Sequence, residues 1–319
     1  MNAAPRPDAP DLPGHDPRSL PLVDVLVPTF NSAAYIAECL ASVMGQTYPN
    51  LSIVVVDDAS SDATFDLARE VTAHDGRVTV TRNGTNLGNR GNFEHCLRQA
   101  RAPYVKFVCA DDVLEPTAVA RLVALAESSP DVTLVTSRRL TVDERGAVLA
   151  MPQVPDQVGG TDAVFDGTAA GDLVLTAGQN WIGEPTTVLF RRESLDLDAL
   201  YRIGSAAPRR NLDIVWWLKI MAGHRMGVVA DVLSRFRVHS GQQSSQASLR
   251  ADLVLSWYDI IVGAIDIGYL RSPIAQSQAL ATFVQTVQSN VTAFAPADVP
   301  RAVATLGRVE ARLKELVAA

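Results

Sequence analysis

Tyr104-Val-Lys-Phe-Val-Cys-Ala-Asp-Asp112 begins as an apolar run and ends in two adjacent carboxylates. Pro103 precedes it, and Pro116 follows where a helix can begin. An apolar run bounded by turn residues reads as a fully buried strand of a parallel sheet. Acids at the carboxyl end of such a strand stand where open α/β sheets bind ligands. Their hard oxygens suit Mg²⁺ or Mn²⁺, which commonly bridge to substrate phosphates. The bland alternative is that Asp112 or Glu115 caps or charges the first turn of the next helix.

Outward from this stretch the same design repeats. Val23 to Pro28 is a strand followed by the turn Thr29-Phe-Asn-Ser-Ala33. Residues 33 to 45 form a helix, with Ile36, Leu40 and Val43 on one face and Ser32 as N-cap. Leu51 to Val56 is a second buried strand, ending in Asp57-Asp-Ala-Ser-Ser-Asp62. A helix over 61–72, a strand over 77–81 and the loop Asn83-Gly-Thr-Asn-Leu-Gly-Asn-Arg90 follow. A helix over 91–100 leads into the central strand. A helix over 116–128 and a strand over 132–136 complete the alternation, which means a parallel sheet with helices on both faces. After Ser137 the pattern loosens. A hairpin and loop over 138–166, a helix over 168–178, strands over 186–190 and 227–230 and a helix over 213–222 are expected. Three helical patterns, over 249–268, 273–293 and 298–317, close the chain.

Composition narrows the function. The 319 residues carry a net charge of −7, so no basic field exists to attract nucleic acid. Cys39, Cys96 and Cys109 lie in apolar patterns without metal-type spacing and read as reduced residues of a cytosolic protein. No uncharged apolar run reaches about 18 residues, so no transmembrane helix is expected. The first twenty residues hold five prolines and no apolar signal core, which reads as a disordered lead. No Gly-x-Gly-x-x-Gly follows the first strand, and there is no Walker lysine loop. The first strand instead offers a backbone edge and an aromatic ring, better suited to a nucleobase than to a pyrophosphate on a helix end.

Four segments, Val25-Leu-Val-Pro-Thr-Phe-Asn31, Val54-Val-Val-Asp-Asp-Ala-Ser-Ser-Asp62, Asn86-Leu-Gly-Asn-Arg-Gly-Asn92 and Phe107-Val-Cys-Ala-Asp-Asp112, occur in the order and spacing of family-2 glycosyltransferases. The resemblance covers roughly residues 22 to 245. It implies a GT-A type, Rossmann-like, mostly parallel sheet flanked by helices. On this view 1–20 is the lead and 21–245 the catalytic domain, with 21–137 as nucleotide-binding half and 138–245 as acceptor half. Residues 246–319 are then a C-terminal helical appendage. The implied activity is inverting transfer from a nucleoside-diphosphate sugar to a hydroxyl of a saccharide or glycolipid, in bacterial polysaccharide or glycoconjugate synthesis.

Position by position, the resemblance puts Pro28, Thr29, Phe30 and Asn31 around the base. It makes Asp58 the residue that hydrogen-bonds it. An acceptor-only carboxylate matches the ring N–H of uracil or thymine, which favours a UDP or dTDP donor. Arg90 and Asn92 resemble the polar pair near the nucleotide, Ala110 and Asp111 belong to the metal motif, and Arg237 to the diphosphate contact. The usual Asp-x-Asp reads Cys109-Ala-Asp111 here. The first acid is lost and the metal-ligating one kept, with Asp112 beside it as a supporting or acceptor-side residue. His239, in Arg235-Phe-Arg-Val-His239, is the second implied ligand for Mg²⁺ or Mn²⁺. Asp213 is the implied general base, with Leu212 replacing the usual glutamate before it. Trp181 and Glu184 fall in the acceptor region.

These residues also have plain readings: turn and capping chemistry for Asp57 and Asp58, a first-turn helix acid favoured by the macrodipole for Asp213, loop and helix start for Arg90 and Asn92, a surface or satisfied residue for His239, core for Trp181, Trp216 and Trp217. Two rival functions follow. A sugar-nucleotide nucleotidyltransferase needs a Gly-rich, Arg-containing loop after the first strand, which is missing. A degenerate sugar-nucleotide-binding module draws only on the altered motifs. The last helices have three options: packing on the catalytic domain, a homodimer, or peripheral association with the inner face of a membrane. Their mixed charge and lack of a basic stripe favour packing.

Overall fold

The computed structural model describes residues 20–155, 160–242 and 247–318. The implied lead lies almost wholly outside them. The chain runs β1 (Val23–Thr29), α1 (Ile36–Met44), β2 (Leu51–Asp57), α2 (Thr64–Thr72), β3 (Val78–Arg82), α3 (Gly88–Gln99), β4 (Tyr104–Phe107), β5 (Val113–Leu114), α4 (Ala118–Ala126) and β6 (Val132–Val142). It continues through β7 (Val148–Ala150), β8 (Ala163–Asp166), α5 (Gly167–Ala177), β9 (Leu189–Arg191), α6 (Leu212–Met221), β10 (Arg225–Arg237), α7 (Arg250–Asp266), α8 (Pro273–Asn290) and α9 (Val299–Ala318).

The described parts of residues 1–164, 182–197 and 227–237 form one compact unit, and those of 165–181, 198–226 and 238–319 another. The first unit holds most of a mixed sheet in the order β3-β2-β1-β4-β9-β6-β10-β5, with β7 on β6 and β8 on β10. β1, β2, β3 and β4 are parallel, as expected from the alternation of strand and helix. All seven residues of β1 are buried, as a strand covered on both faces requires. α1 buries Ile36, Cys39, Leu40 and Val43, the three-and-four spacing of one helical stripe. Each such apolar side chain contributes about 1.5–3 kcal/mol.

The order of the strands is new, and one local expectation changes. β6 does not pair with β4. The later strand β9 lies between them, antiparallel to both, so β6 runs in the direction of β4 without touching it in the sheet. Ser32 does not cap α1. Its carbonyl receives the Tyr35 and Ile36 amides, and its hydroxyl donates to the Phe30 carbonyl at 3.1 Å.

In the second unit, α7 to α9 cluster with α5 and α6. Thr282 Oγ1 on α8 donates to the Thr176 carbonyl on α5 at 2.8 Å, and Arg301 on α9 pairs with Asp252 on α7 at 2.7 Å. Gly171 lets α5 approach closely: a Cβ there would stand 2.2 Å from the Tyr269 ring. Among the described residues no helix is long and apolar enough to cross a membrane.

Candidate active site

The parallel strands β1, β2 and β4 all end in polar residues at the same edge of the sheet. Past β1 the chain turns through Asn31, which takes the left-handed conformation (φ 47°) that asparagine tolerates. Asn31 locks this turn to the β2 end: its amide donates to Ser60 Oγ at 2.9 Å, and its Oδ1 accepts from the Ser61 amide at 2.9 Å. Pro28 and Thr29 are buried within β1. Phe30 is 46% exposed, so the aromatic surface implied for the base is available.

At the β2 end the two acids have different surroundings. Asp57 is fully buried, and its Oδ2 accepts from the Ser60 amide and pairs with Arg82 Nε, both at 3.1 Å. Asp58 is 1% exposed, with its amide donating to the Thr29 carbonyl at 2.9 Å. Its Oδ1 accepts from Asn83 Nδ2 and from the Leu87 amide, each at 2.8 Å. Its Oδ2 has no hydrogen bond among the described residues. Asn92 stands behind this group, 3% exposed, with its Nδ2 on the Val56 carbonyl and its Oδ1 on Asn83 Nδ2, both at 3.1 Å. Both ends of the Asn92 amide therefore meet protein. Arg90 is exposed at the start of α3.

At the β4 end the acidic loop is a tight turn, closed by the Asp112 amide on the Cys109 carbonyl at 3.0 Å. Ala110, buried at 4%, and Asp111, half-buried, occupy its corner. Asp112 is fully buried. Its Oδ1 accepts from the Arg237 amide at 2.9 Å and its Oδ2 from Thr186 Oγ1 at 2.5 Å. Thr186 Oγ1 also accepts from the Cys109 amide at 2.9 Å, which directs its own hydrogen to Asp112. Burial, and then the nearby charge of Asp111, push the Asp112 carboxyl well above the usual range. Each oxygen of Asp112 thus has a protein hydrogen-bond donor.

The side chain of Arg237 is 3% exposed. Nε donates to the Asp111 carbonyl at 2.8 Å, Nη1 to the Asp143 and Glu144 carbonyls at 3.3 and 3.2 Å, and Nη2 pairs with Glu38 at 2.7 Å. The guanidinium also lies over the Tyr35 ring, 5.0 Å from its centroid. It ties the acidic loop to α1 and to the β6–β7 hairpin.

Cys109 Sγ and the carboxylate oxygens of Asp111 and Asp112 lie within 4.8 Å of one another. Burial, followed by the charges of Asp112 and Asp111, raises the Cys109 thiol well above its ordinary value, so it stays protonated. Asp111 is left as the hard donor of the loop. One carboxylate, with water and substrate phosphate completing the shell, is how Mg²⁺ is commonly bound, and the loop fits a divalent cation in that sense. Beneath it, Lys106 is fully buried and donates to the Phe107 carbonyl at 2.9 Å and to the Thr186 carbonyl. Burial lowers its pKa to about 7. Glu184 pairs with Arg139, whose side chain is 7% exposed, through Nε to Oε2 at 2.5 Å.

The second unit carries the remaining residues. Asp213 lies in the first turn of α6, after Asn211 in the left-handed conformation (φ 57°). Asn180 Nδ2 donates to Asp213 Oδ2 at 2.8 Å. His239 begins a turn in which the Gln242 amide donates to its carbonyl at 3.2 Å. Trp181 is 5% exposed, and Trp216 and Trp217 are buried. Burial of Trp181 matches its plain reading as a core residue. Asn83, Thr186, Glu38, Arg139 and Lys106 had no signal of their own in the sequence, because each acts through a partner distant along the chain.

Comparison with known proteins matches the model of the family Glycosyl transferase family 2 over residues 24–196. The chain is 30% identical over 274 residues to an uncharacterised protein, MT1568, of Mycobacterium tuberculosis, covering 80% of each. It is 31% identical over 140 residues to the putative glycosyltransferase EpsE of Bacillus subtilis, covering 43% of this chain and 50% of that one. Among solved structures it resembles residues 1–349 of TarS from S. aureus in complex with UDP-GlcNAc, with a TM-score of 0.69 at 20% identity, covering 93% of this chain and 83% of that one. The sheet is thus of the GT-A type, and the chain belongs to glycosyl transferase family 2 and is a glycosyltransferase.

Proposed function

We propose that the enzyme moves a sugar from a uridine or thymidine diphosphate sugar to an acceptor hydroxyl, with inversion at the anomeric carbon. The observation that carries the nucleotide assignment is Asp58: one oxygen is held by the chain and the other has no hydrogen bond, one residue past the buried Asp57 and beside the turn of exposed Phe30. A carboxylate accepts the ring N–H of uracil or thymine, and Phe30 offers a face for the ring. The uridine donor in the similar TarS complex supports this reading.

In this reading Pro28, Thr29 and Asn31 shape the base end, and Arg90 serves the nucleotide from α3. Asp111 would hold Mg²⁺ or Mn²⁺, and His239 is proposed as a ligand from the resemblance alone. When bound, the cation neutralises charge developing on the diphosphate leaving group. Asp213 takes the proton from the acceptor hydroxyl as that oxygen attacks the anomeric carbon from the face opposite the leaving group. Asn180 orients Asp213 for this step. Glu184, fixed by Arg139, hydrogen-bonds the acceptor, which is a saccharide or glycolipid of bacterial polysaccharide or glycoconjugate synthesis. The enzyme then works in the cytoplasm, with the inner face of the membrane and a homodimer through the last helices as further proposals.

Asp213→Asn tests the chemistry. It is expected to lower transfer at least about 10²-fold, the usual contribution of a general base, while nucleotide binding stays within twofold. Near-normal turnover would remove Asp213 as base. A protein that binds UDP-sugars but transfers to no acceptor would favour the degenerate module.

A further inference from the structure

We infer that Asn83, backed by Asn92, sets the base preference by leaving Asp58 a single accepting oxygen, so that the site takes uracil or thymine and rejects guanine. This rests on the reading that Asp58 meets the donor base.

The bases differ in what they show a carboxylate. Uracil and thymine offer one ring N–H between two carbonyls. Guanine offers a ring N–H with an amino group beside it, two parallel donors that match both oxygens of a carboxylate. Cytosine and adenine present a bare ring nitrogen at the corresponding place, an acceptor facing an acceptor. How many oxygens of Asp58 remain available therefore decides which base fits.

Oδ1 already accepts two hydrogen bonds, from Asn83 Nδ2 and the Leu87 amide at 2.8 Å each. Two bonds use both lone pairs of that oxygen. The direction of the amide network is forced from its far end. The Val56 carbonyl only accepts, so Asn92 must turn Nδ2 to it, which leaves Asn92 Oδ1 facing Asn83. Asn83 must then offer Nδ2 on that side, and the same NH₂ group serves the Asp58 carboxylate. Asn92 is 3% exposed, so reversing its amide would leave buried polar groups unmade. The network thus holds Asn83 as a donor, and Oδ2 alone stays open. One open oxygen matches the one ring N–H of uracil or thymine. Guanine would keep its amino group unpaired or have to displace Asn83, a mismatch of the kind that strongly penalises a wrong ligand in a site built from fixed polar groups. Leu87, which supplies one of the amides, and Phe30 are 47% and 46% exposed and give apolar surface suited to the faces of a base.

The test is the affinity of the full chain for UDP and for GDP, each with Mn²⁺, by titration calorimetry. The wild type is expected to prefer UDP by at least about 30-fold. Asn83→Ala frees one lone pair on Oδ1. UDP should weaken a few-fold, GDP should tighten, and the preference should narrow at least about tenfold. Asn83→Ser, which stays polar but is too short to bridge Asp58 and Asn92, should narrow it in the same direction and stands in if the alanine variant does not fold. A UDP preference unchanged in the folded variants would overturn the role of Asn83 while leaving the base reading intact. A wild type that prefers GDP, or binds neither, would overturn the base reading itself and this inference with it.

Discussion

At the end of β2 the first acid, Asp57, is buried against Ser60 and Arg82, and the second, Asp58, keeps an oxygen open. At the end of β4 the order is reversed: Asp111 stands half-buried at the turn corner, and Asp112 is buried on Thr186 and Arg237. Two adjacent aspartates after a buried strand thus look alike in sequence and divide their roles in opposite ways. What decides the outcome is the cover supplied by later segments. Ser60 and Arg82 lie close in sequence to Asp57, whereas Thr186 and Arg237 reach Asp112 from 74 and 125 residues away.

The sharpest way to break this contrast is to change each member of the second pair. Asp111→Asn should lower transfer about 10³-fold, in the range lost when a transition-state charge partner is removed, and should abolish Mn²⁺-dependent tightening of UDP. Its melting temperature should stay within a degree or two. Asp112→Ala should do the converse at the level of stability. The Arg237 amide and Thr186 hydroxyl lose a buried partner, a cost of about 3 kcal/mol by denaturant titration. Equal stability loss in the two variants would dissolve the distinction between them.

Lys106 sharpens the comparison from below. Its pKa falls from 10.5 unfolded to about 7 in the fold, chiefly through burial. Between these values the unfolded chain binds a proton that the folded chain lacks, so this group makes stability rise with pH from about 7 to 10.5. Two carbonyl acceptors match the two hydrogens of the neutral amine. Stability measured at pH 7.5 and 9.5 should increase by about 2 kcal/mol in the wild type relative to Lys106→Met, which lacks the group. An identical pH slope in both would mean that the amine keeps its proton inside the fold. The smallest effect concerns the first pair. Phe30→Ala should weaken UDP about fivefold, near 1 kcal/mol for a base resting on an aromatic face, with no change in Mn²⁺ dependence.

The parallel half of the sheet was legible because β1, β2 and β4 are apolar runs that end at turn residues. The acidic strand ends were legible for the same reason, while the roles given to Asp58 and Asp111 come from the resemblance. The antiparallel half was legible only in part: the strands expected over 186–190 and 227–230 overlap β9 and β10, whereas β5, with two residues, is too short for any periodicity to show. The place of β9 between β4 and β6 depends on pairing across about 80 residues, which no local pattern encodes. Arg237 was read as a ligand contact because an arginine near a strand end carries the same signal whether its fork meets phosphate or backbone carbonyls. Asn83 was visible only as a member of a polar loop, and Asn92 only through the resemblance; the way they hold one another comes from an amide chain anchored at Val56.

The insertion of β9 also bears on how the chain assembles. β4 and β6 run the same way and are complete by residue 142, while the strand that separates them arrives only at 189. A chain grown to residue 150 therefore exposes one edge of β4, and the nearest strand of matching direction is β6. Direct pairing of those two would be a parallel contact of low loop-closure cost, and it would have to open before β9 could enter. Thr186, which reaches the acidic loop just ahead of β9, would be shut out of that premature sheet. On this route the turn that carries Asp111 is among the last parts of the first unit to take its final shape during synthesis.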